Sequence, residues 1–221
     1  MKHKSLIIFG AGEIAELAYF YFQKYSNYRI EGFTIDEEYI THNQLLNLPI
    51  IPFNEISKTY LAEDFDFFIA LSYSKLNSIR KEKYDNLKKL GYRLASFVSP
   101  QAVILNDNIG DNCFILENNV IQPYVKIGNN VTLWSGNHVG HHSTIKDHNF
   151  ISSHVVISGG VTINEQCFIG VNATIRDHIN IGEKSIIGAG AIILQDVDPN
   201  GLYIGQNAER SRVPSHKLKN L

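Results

Sequence analysis

The sequence of 221 residues has little cysteine, little net charge and no long apolar run. Its two cysteines, Cys113 and Cys167, predict core packing rather than a disulfide framework. The formal net charge of −2 gives no reason to expect nucleic acid or an anionic membrane as a partner. No apolar run approaches the ~20 residues of a membrane span, and glycines end the N-terminal apolar patch too early for a signal peptide. We therefore expect a cytoplasmic protein.

What the sequence does contain is an aliphatic residue at every sixth position over residues 103–193. A period of six fits neither an α-helix, with a period of 3.6, nor a half-buried strand, with a period of 2. A solenoid produces such a period, because each short strand buries its aliphatic side chain only against neighbouring coils. The following residue is often glycine, which suits a tight corner. The sixteen positions are Val103, Ile109, Ile115, Ile121, Ile127, Leu133, Val139, Ile145, Ile151, Ile157, Ile163, Ile169, Ile175, Ile181, Ile187 and Ile193.

Residues 1–98 have the pattern of a small, Rossmann-like α/β unit. Strands are predicted over 4–9, 29–35, 65–71 and 92–98, and helices over 16–24 and 78–90. The first strand runs into Gly10-Ala11-Gly12-Glu13-Ile14-Ala15, a turn that lets the backbone approach a phosphate at a helix N-terminus. Asp36 follows the second strand, where this architecture often places an acid that contacts the ligand.

Two interpretations of this glycine turn remain open. A nicotinamide dinucleotide site is disfavoured, because 98 residues supply only half of the usual two-part sheet. The mononucleotide portion of a larger substrate suits a half-domain better. The alternative is that the glycines merely permit a tight turn.

Histidines are concentrated in the hexad region, which holds six of the nine. His141 and His142 follow Val139 by two and three positions, so both are expected to point outward near a corner. Eighteen residues further on stand Gly159 and Gly160, which predict an open notch beside the imidazoles where a substrate could sit. Histidine accepts a proton near neutral pH, as an amine attacking a thioester requires.

Two other interpretations of these histidines remain. Outward imidazoles on a β-helix can simply stack in solvent or fill a subunit interface. Clustered imidazoles can also bind zinc, but here they are divided among corners without an obvious carboxylate or cysteine companion, so no metal site is expected.

A glycine-turn α/β unit followed by an uninterrupted hexapeptide region resembles the bacterial sugar acyltransferases. This family includes nucleotide-linked amino-sugar N-acetyltransferases and sialic acid O-acetyltransferases. The resemblance covers residues 7–208 and implies a Rossmann-like nucleotide-sugar-binding half-domain over 1–98. Over 99–221 it implies a left-handed parallel β-helix acyltransferase domain with a C-terminal tail, three hexads forming each triangular coil. It also implies acetyl-CoA as donor, a nucleotide-sugar acceptor, and a homotrimer with active sites between adjacent subunits.

The family's general base is a histidine followed by an acidic residue, in the pattern V-x-H-[DE]-C-x-I. Here the pattern is VGHHSTI over 139–145, which maps the base onto His141 and replaces the acid by His142. The chain therefore either recruits another orienting group or manages without one. A second family histidine, which contacts the cofactor, falls on Phe150. The other implied positions are Gly170, Val171, Gly188 and Ala189 for acetyl-CoA; Gly10, Gly12, Glu13, Asp36 and Ser72 for the nucleotide sugar; and 203–208 near the adenine end of the cofactor.

The expected function is N-acetylation of a nucleotide-linked amino-dideoxy sugar for a surface polysaccharide such as the O-antigen of lipopolysaccharide. His141 would deprotonate the sugar amine as it attacks the thioester, while backbone N–H groups at the glycine corners stabilise the oxyanion. O-acetylation by the same fold is the nearest alternative. The missing acid favours nitrogen, since a hydroxyl is harder to activate than an amine. A non-catalytic nucleotide-binding trimer is the third possibility.

Overall fold

The structure is a computed structural model that describes residues 4–106, 108–208 and 210–217. The domains predicted from the sequence begin at residue 1 and end at residue 221, so residues 1–3 and 218–221 of that prediction lie outside the described residues. The N-terminal elements are β1 (Lys4–Phe9), α1 (Glu13–Tyr25), β2 (Tyr28–Ile35), β3 (Gln44–Leu45), β4 (Leu48–Pro52), α2 (Ile56–Thr59), β5 (Phe65–Ile69), α3 (Ser78–Lys89) and β6 (Arg93–Leu94).

These N-terminal strands form one sheet in the order β3-β4-β2-β1-β5-β6, parallel except for the edge strand β3. Helix α1 packs on it because Ala15, Ala18 and Phe22 recur at helical spacing and are buried. The carboxyl ends of β1, β2 and β5 therefore lie side by side, which is where parallel sheets bind ligands. The β3–β4 hairpin is absent from the prediction; its turn uses Leu46 and Asn47 with positive φ.

The last predicted strand, over 92–98, is not one strand. Arg93–Leu94 pairs with Asp66–Phe67 in the N-terminal sheet, whereas Phe97–Val98 pairs with Phe114–Ile115. The chain leaves the first sheet at Ser96, whose hydroxyl donates to the carbonyl of Gly110 and accepts the N–H of Cys113. The predicted boundary at 98/99 stays a proposal. Residues 93–98 connect the two halves, since they contribute one short strand to each.

Residues 97–203 form a parallel β-helix of short strands on three sheets, as the period of six predicts. The α/β half-domain followed by a left-handed parallel β-helix is therefore confirmed. We call the sheets A (β7, β9, β12, β15, β18, β21, β23), B (β8, β10, β13, β16, β19, β22) and C (β11, β14, β17, β20). The strands are β7 (Phe97–Val98), β8 (Val103–Ile104), β9 (Phe114–Ile115), β10 (Val120–Ile121), β11 (Lys126–Ile127), β12 (Thr132–Leu133), β13 (His138–Val139), β14 (Thr144–Ile145), β15 (Phe150–Ile151), β16 (Val156–Ile157), β17 (Thr162–Ile163), β18 (Phe168–Ile169), β19 (Thr174–Ile175), β20 (Asn180–Ile181), β21 (Ile186–Ile187), β22 (Ile192–Ile193) and β23 (Leu202–Tyr203).

The aliphatic ladder holds from Ile109 onward but is wrong at its first position. Ile121 pairs with Ile104, seventeen residues earlier in the chain, and not with Val103. Val103 consequently points outward and is 49% exposed. The first coil is one residue shorter than the regular repeat, so a strict count of six selects the neighbour of the inward residue.

The interior of the β-helix is one continuous apolar core made by the ladder and by the small residues between its members. Cys113 and Cys167 lie in this core as free, fully buried thiols, as predicted. Burial raises the pKa of Cys113 to about 12, since a thiolate would lose its hydration there. Both thiols therefore serve packing rather than chemistry.

The two halves share a buried polar chain at the corner between sheets C and A. The N–H of Ile69 donates to Oδ1 of Asn112, the amide of Asn112 donates to Oδ1 of Asn130, and the amide of Asn130 contacts Nδ1 of His148 at 2.9 Å. The two asparagines and His148 are buried and have positive φ, a backbone conformation that asparagine and histidine tolerate. Because the amide of Asn130 is a donor, Nδ1 of His148 must accept and hence carry no proton.

Because of this buried hydrogen-bond chain, we expect the protein to become less stable in acid. Burial, aided by Lys81, lowers the pKa of His148 to about 4, whereas the unfolded chain takes up its proton below about 6.5. We expect the free energy of unfolding to fall by about 1–3 kcal/mol between pH 6.5 and 4, because unfolding then gains a proton. The matched variant His148→Asn keeps the residue type of the two preceding coils and removes this dependence. Urea titrations at several pH values test it, and equal slopes for both proteins would contradict it.

Candidate active site

A cavity of about 370 Å³ opens at the carboxyl edge of the N-terminal sheet. It lies between the end of β1, the end of β2 and the segment that follows β5, and the β3–β4 hairpin closes its outer side. Three of the five predicted nucleotide-sugar residues, Gly10, Gly12 and Asp36, line it. The lining that the sequence did not indicate comes from Tyr39, Thr41, His42, Gln44, Leu45, Ile50 and Ile79.

Gly10 and Gly12 are glycines for different physical reasons. Gly10 has φ of +131°, and a Cβ there would lie 2.6 Å from the carbonyl oxygen of Ala70. A Cβ on Gly12 would meet nothing within 4 Å, so its absence leaves open space at the cavity wall. Gly12 is also the N-cap of α1, and no side chain caps that helix. The positive end of the helix dipole thus borders the cavity, where it would stabilise a bound anionic group.

We expect substitution of Gly10 to affect mainly the stability of the fold, and substitution of Gly12 to affect mainly ligand binding. Gly10→Ala should destabilise the protein by about 1–3 kcal/mol, because its Cβ meets backbone at a positive φ. Gly12→Ala should lower the free energy of unfolding by no more than about 1 kcal/mol, the cost of alanine at an N-cap, and weaken binding of a nucleoside diphosphate about tenfold or more. Urea unfolding and isothermal titration calorimetry measure the two effects. Equal binding by wild type and Gly12→Ala would contradict the placement of the phosphate.

Asp36 is held in place by an ion pair. Nζ of Lys83, on α3, lies 2.7 Å from Oδ1 of Asp36 and is itself nearly buried. The same ammonium lies 5.6 Å from the ring centre of Phe9 and 5.3 Å from that of Phe53. The cavity wall therefore offers a fixed carboxylate, which Lys83 holds from outside the lining. Lys83 is a charged neighbour of the site that the sequence analysis did not single out.

The other two predicted nucleotide-sugar residues do not line this cavity. Glu13 is exposed in the first turn of α1, and the hydroxyl of Ser72 lies 2.9 Å from that of Ser74. Neither belongs to the residues of the cavity wall. Their assignment stays a prediction.

His141 and His142 lie at the corner between β13 of sheet B and β14 of sheet C, and both are exposed as predicted. The N–H of His141 donates to Oε1 of Gln122 at 2.9 Å, which holds this corner to the preceding coil. The imidazole lies over Gly159: a Cβ there would be 2.7 Å from Cε1 and 2.8 Å from Nε2 of His141. The predicted open notch is therefore wrong as a substrate space, because the rings of His141 and His178 fill the room that Gly159 and Gly160 leave.

The two imidazoles contact each other edge to face. Their Nδ1 atoms lie 3.1 Å apart, and the ring planes make an angle of 85°. The ring of His142 also packs on Tyr124 of the preceding coil, with centroids 4.6 Å apart. The His141 ring is thus held from two sides, by Gly159 below and by His142 beside it.

A methyl group at Gly159 should displace the His141 imidazole without disturbing the fold. We expect Gly159→Ala to lower kcat/KM for the acetyl transfer that the sequence predicts about 10- to 100-fold, because a shift near 1 Å would misplace the predicted proton acceptor. The thermal midpoint should change little, since the group that must move is an exposed side chain. In a His141→Gln background the same substitution should cost almost nothing more; full additivity would contradict a shared cause.

The predicted acetyl-CoA residues lie at a different corner, between sheets A and B. Val171 and Ala189 are exposed there, one coil apart. Gly170 and Gly188 have a packing explanation of their own. A Cβ on Gly170 would lie 2.5 Å from the amide nitrogen of Ala189, and one on Gly188 would lie 2.9 Å from the carbonyl oxygen of Tyr203. The glycines let the coils approach, and the exposed neighbours leave an open corner.

The same corner carries a carboxylate that the sequence analysis missed. Glu117 accepts hydrogen bonds from Tyr21 at 2.8 Å and from Ser135 at 2.7 Å. Burial alone would raise the pKa of Glu117, but these hydrogen bonds keep it below the usual value. Burial and the contact with Glu117 raise the pKa of Tyr21 to about 12. Glu117 therefore remains a carboxylate that ties α1 to the β-helix.

His141 does not line the cavity at the glycine turn. The N-terminal domain packs on sheet A, where Ile14 and Leu71 approach Thr132, Trp134 and Phe150. His141 stands at the corner of the other two sheets. Phe150, at the place of the second family histidine, is buried against Tyr73 and Phe168. Among the described residues no three His, Cys, Asp or Glu side chains gather closely enough to hold a metal ion.

Within the described part of the chain, no helix is both long and apolar enough to cross a bilayer. Residues 108–141 and 124–159 match the bacterial transferase hexapeptide family (six repeats). No curated protein matches the chain.

Several solved structures share the whole fold. A variant of perosamine N-acetyltransferase from Caulobacter crescentus, in complex with CoA and GDP-perosamine, has 19% identity and a TM-score of 0.81, over 92% of this chain and 95% of that one. The acetyltransferase domain of PglB from Neisseria gonorrhoeae, in complex with acetyl coenzyme A, has 23% identity and a TM-score of 0.79, over 90% and 95%. WeeI from Acinetobacter baumannii has 20% identity and a TM-score of 0.78, over 91% and 97%. The predicted resemblance is thereby confirmed: the chain carries bacterial transferase hexapeptide repeats on the two-domain fold of the left-handed β-helix sugar acyltransferases.

Proposed function

We propose that this protein is an acetyl-CoA-dependent N-acetyltransferase acting on a nucleotide-linked amino-dideoxy sugar for surface-polysaccharide synthesis. The observation that carries the proposal is the combination, in one chain, of a cavity at a glycine turn and an exposed imidazole pair on the β-helix. The cavity volume of about 370 Å³ suits a nucleotide. The cytoplasm is where acetyl-CoA would be available to such an enzyme.

The nucleotide end of the acceptor is assigned to the N-terminal domain. Its diphosphate would lie at the uncapped N-terminus of α1, beside Gly10 and Gly12, where backbone N–H groups and the helix dipole favour an anion. Asp36 would accept hydrogen bonds from the nucleoside, held for this by Lys83. Glu13 and Ser72 remain proposed contacts at the rim.

His141 is assigned the role of general base. The amino group of the sugar attacks the thioester carbonyl of acetyl-CoA, so a C–N bond forms and the C–S bond breaks. The proton that the amine loses passes to Nε2 of His141, and the departing thiolate of CoA takes a proton in turn. Backbone N–H groups near the corner with Val171 and Ala189 would polarise the carbonyl. The relatives in complex with CoA or acetyl coenzyme A support this choice of donor.

A homotrimer is part of the proposal, because the parts of the site lie on different faces of one chain. Sheet B presents exposed apolar side chains, Val156 at 41% and Ile192 at 69%, and Val171 at 44% borders it. A second copy covering this face would bring its own corner to the neighbour's His141. Sedimentation analysis should then give a mass of about three chains of 24.9 kDa.

The test is release of free thiol from acetyl-CoA with a panel of nucleotide-linked sugars. The panel pairs amino sugars with their hydroxy counterparts on each of UDP, dTDP and GDP. Turnover restricted to amino sugars supports the proposal, and turnover restricted to hydroxy sugars replaces it by O-acetylation. Absence of turnover together with absence of CoA binding would leave a nucleotide-binding protein and would refute the enzyme.

A further inference from the structure

The residue that stands where the family pattern has an acid is itself an imidazole in contact with the base. We propose that His142 is a positioning residue that accepts the N–H of His141 Nδ1 and thereby leaves Nε2 of His141 free to take the substrate proton. The inference rests on the proposed role of His141 as base. It assigns to a neutral imidazole the work that a carboxylate does in the family pattern.

The geometry allows only two arrangements of protons between the rings. The Nδ1 atoms of His141 and His142 are 3.1 Å apart, a hydrogen-bond distance at which one must donate and the other accept. If His142 donated, the lone pair on Nδ1 of His141 would be engaged and Nε2 would carry the proton. His141 would then have no free lone pair for a substrate. Only the arrangement with His142 as acceptor makes His141 a base.

His142 is held in the orientation that this contact requires. Its backbone has φ of +59°, and its N–H donates to the carbonyl of Pro123 at 3.2 Å. Its ring packs on Tyr124, tilted by 34° at 4.6 Å between centroids. The Tyr124 side chain is 71% exposed and belongs to the preceding coil, so the pair of coils forms a shallow support for the ring. The corner thus fixes the acceptor before any substrate arrives.

The surroundings of the pair contain few other charges. This corner consists of Pro123 and Tyr124, the two histidines, Gly159 and Gly160 on the next coil, and Asp177 and His178 beyond them. The titratable groups facing the pair from neighbouring coils are therefore Tyr124, Asp177 and His178. The ring of His178 lies over Gly160, as that of His141 lies over Gly159. The described contacts of His141 include no carboxylate.

A neutral acceptor differs from a carboxylate in a measurable way. Both fix the tautomer, but a carboxylate also stabilises the imidazolium that forms when the base takes a proton. His142 in addition loses its function when it is itself protonated, because its Nδ1 then carries hydrogen. The active form therefore requires both rings to be neutral.

The kinetic test compares three substitutions that all tolerate the positive φ of this position. His142→Gly removes the acceptor without backbone strain and should lower kcat/KM at pH 8 about 10- to 100-fold with little change in the KM for acetyl-CoA. His142→Asn places Oδ1 where Nδ1 was and should recover most of the rate. His142→Asp should recover the rate and move the acid limb of the pH profile to higher pH. Equal rates for the Gly and Asn variants, or an unmoved acid limb in the Asp variant, would overturn the proposal.

A spectroscopic test stands apart from any activity. Nitrogen-15 NMR of the histidine rings at pH 8 should show the proton of His141 on Nδ1, with the signal assigned by its loss in His141→Gln. In His142→Gly the proton should move to Nε2, the more stable tautomer of a free imidazole. A proton on Nε2 of His141 in the wild type overturns the inference even if acetyl transfer is observed. The Nδ1 tautomer supports it even if the acceptor sugar proves to be of another class.

Discussion

Replacement of His141 by glutamine should lower kcat/KM for acetyl transfer by about 10²- to 10⁴-fold at neutral pH, the usual contribution of a positioned general base. The amide can still contact the substrate but cannot take its proton. The loss should fall on kcat, while the KM values for both substrates change little, because binding is assigned to other parts of the molecule. The measurement is thiol release under saturating acetyl-CoA, across pH 6 to 9.5.

The pH range is what makes this experiment decisive. An amine that arrives already deprotonated needs no base, so a position-only role predicts that the variant regains its rate at high pH. A true base predicts a loss that persists at every pH above the acid limb. The matched control is His178→Gln, which changes an imidazole at the same corner that lies over Gly160. We expect it to retain the rate within about twofold; a loss equal to that of His141→Gln would contradict the assignment.

The period of six predicted the β-helix because every coil buries its aliphatic side chains in the same way. The aliphatic ladder from Ile109 to Ile193 follows from burial of one side chain per strand, and the outward position of His141 follows from its offset from Val139. The prediction failed at Val103 because a periodic count carries no information about a coil that is one residue shorter. It failed over 92–98 for a related reason, since strand propensity does not tell which of two sheets a strand joins.

The site was only partly predictable because half of it depends on distant contacts. Gly10, Gly12 and Asp36 follow strand ends, so their meeting at one edge of a parallel sheet is implied by the topology. The hairpin that closes the cavity consists of very short strands without alternation, and nothing local marks His42 or Gln44 as lining residues. The pairing of Lys83 with Asp36 joins residues 47 positions apart in the sequence. Such contacts become visible only in the folded chain.

The contact between the two domains also includes a buried cation, Arg80, that bonds to residues distant in the sequence. Arg80 on α3 is 1% exposed and has no carboxylate partner among its contacts. Its guanidinium donates to the hydroxyl of Thr132, to Oδ1 of Asn77 at 3.0 Å and to the carbonyl of Asn149 at 2.9 Å. Burial lowers its pKa to about 9, because the charged guanidinium loses its hydration there. The ring of Phe150 lies 5.7 Å from the guanidinium carbon.

Arg80→Ala should therefore lower the free energy of unfolding by about 3–5 kcal/mol, from a cavity and from the buried Thr132 hydroxyl and Asn77 Oδ1, which lose their donor. Arg80→Met fills most of the cavity and removes a poorly solvated charge, so it should cost clearly less. The control Lys89→Ala, exposed on the same helix, should stay within about 0.5 kcal/mol.

The single tryptophan, Trp134, packs against the N-terminal core at the domain joint, so its fluorescence reports on that joint. In Arg80→Ala its emission should shift at a lower urea concentration than the far-ultraviolet signal of the β-helix, because the helix core does not depend on this contact. Coincident transitions, or a loss no greater than that of Arg80→Met, would show that the guanidinium does not hold the domains together.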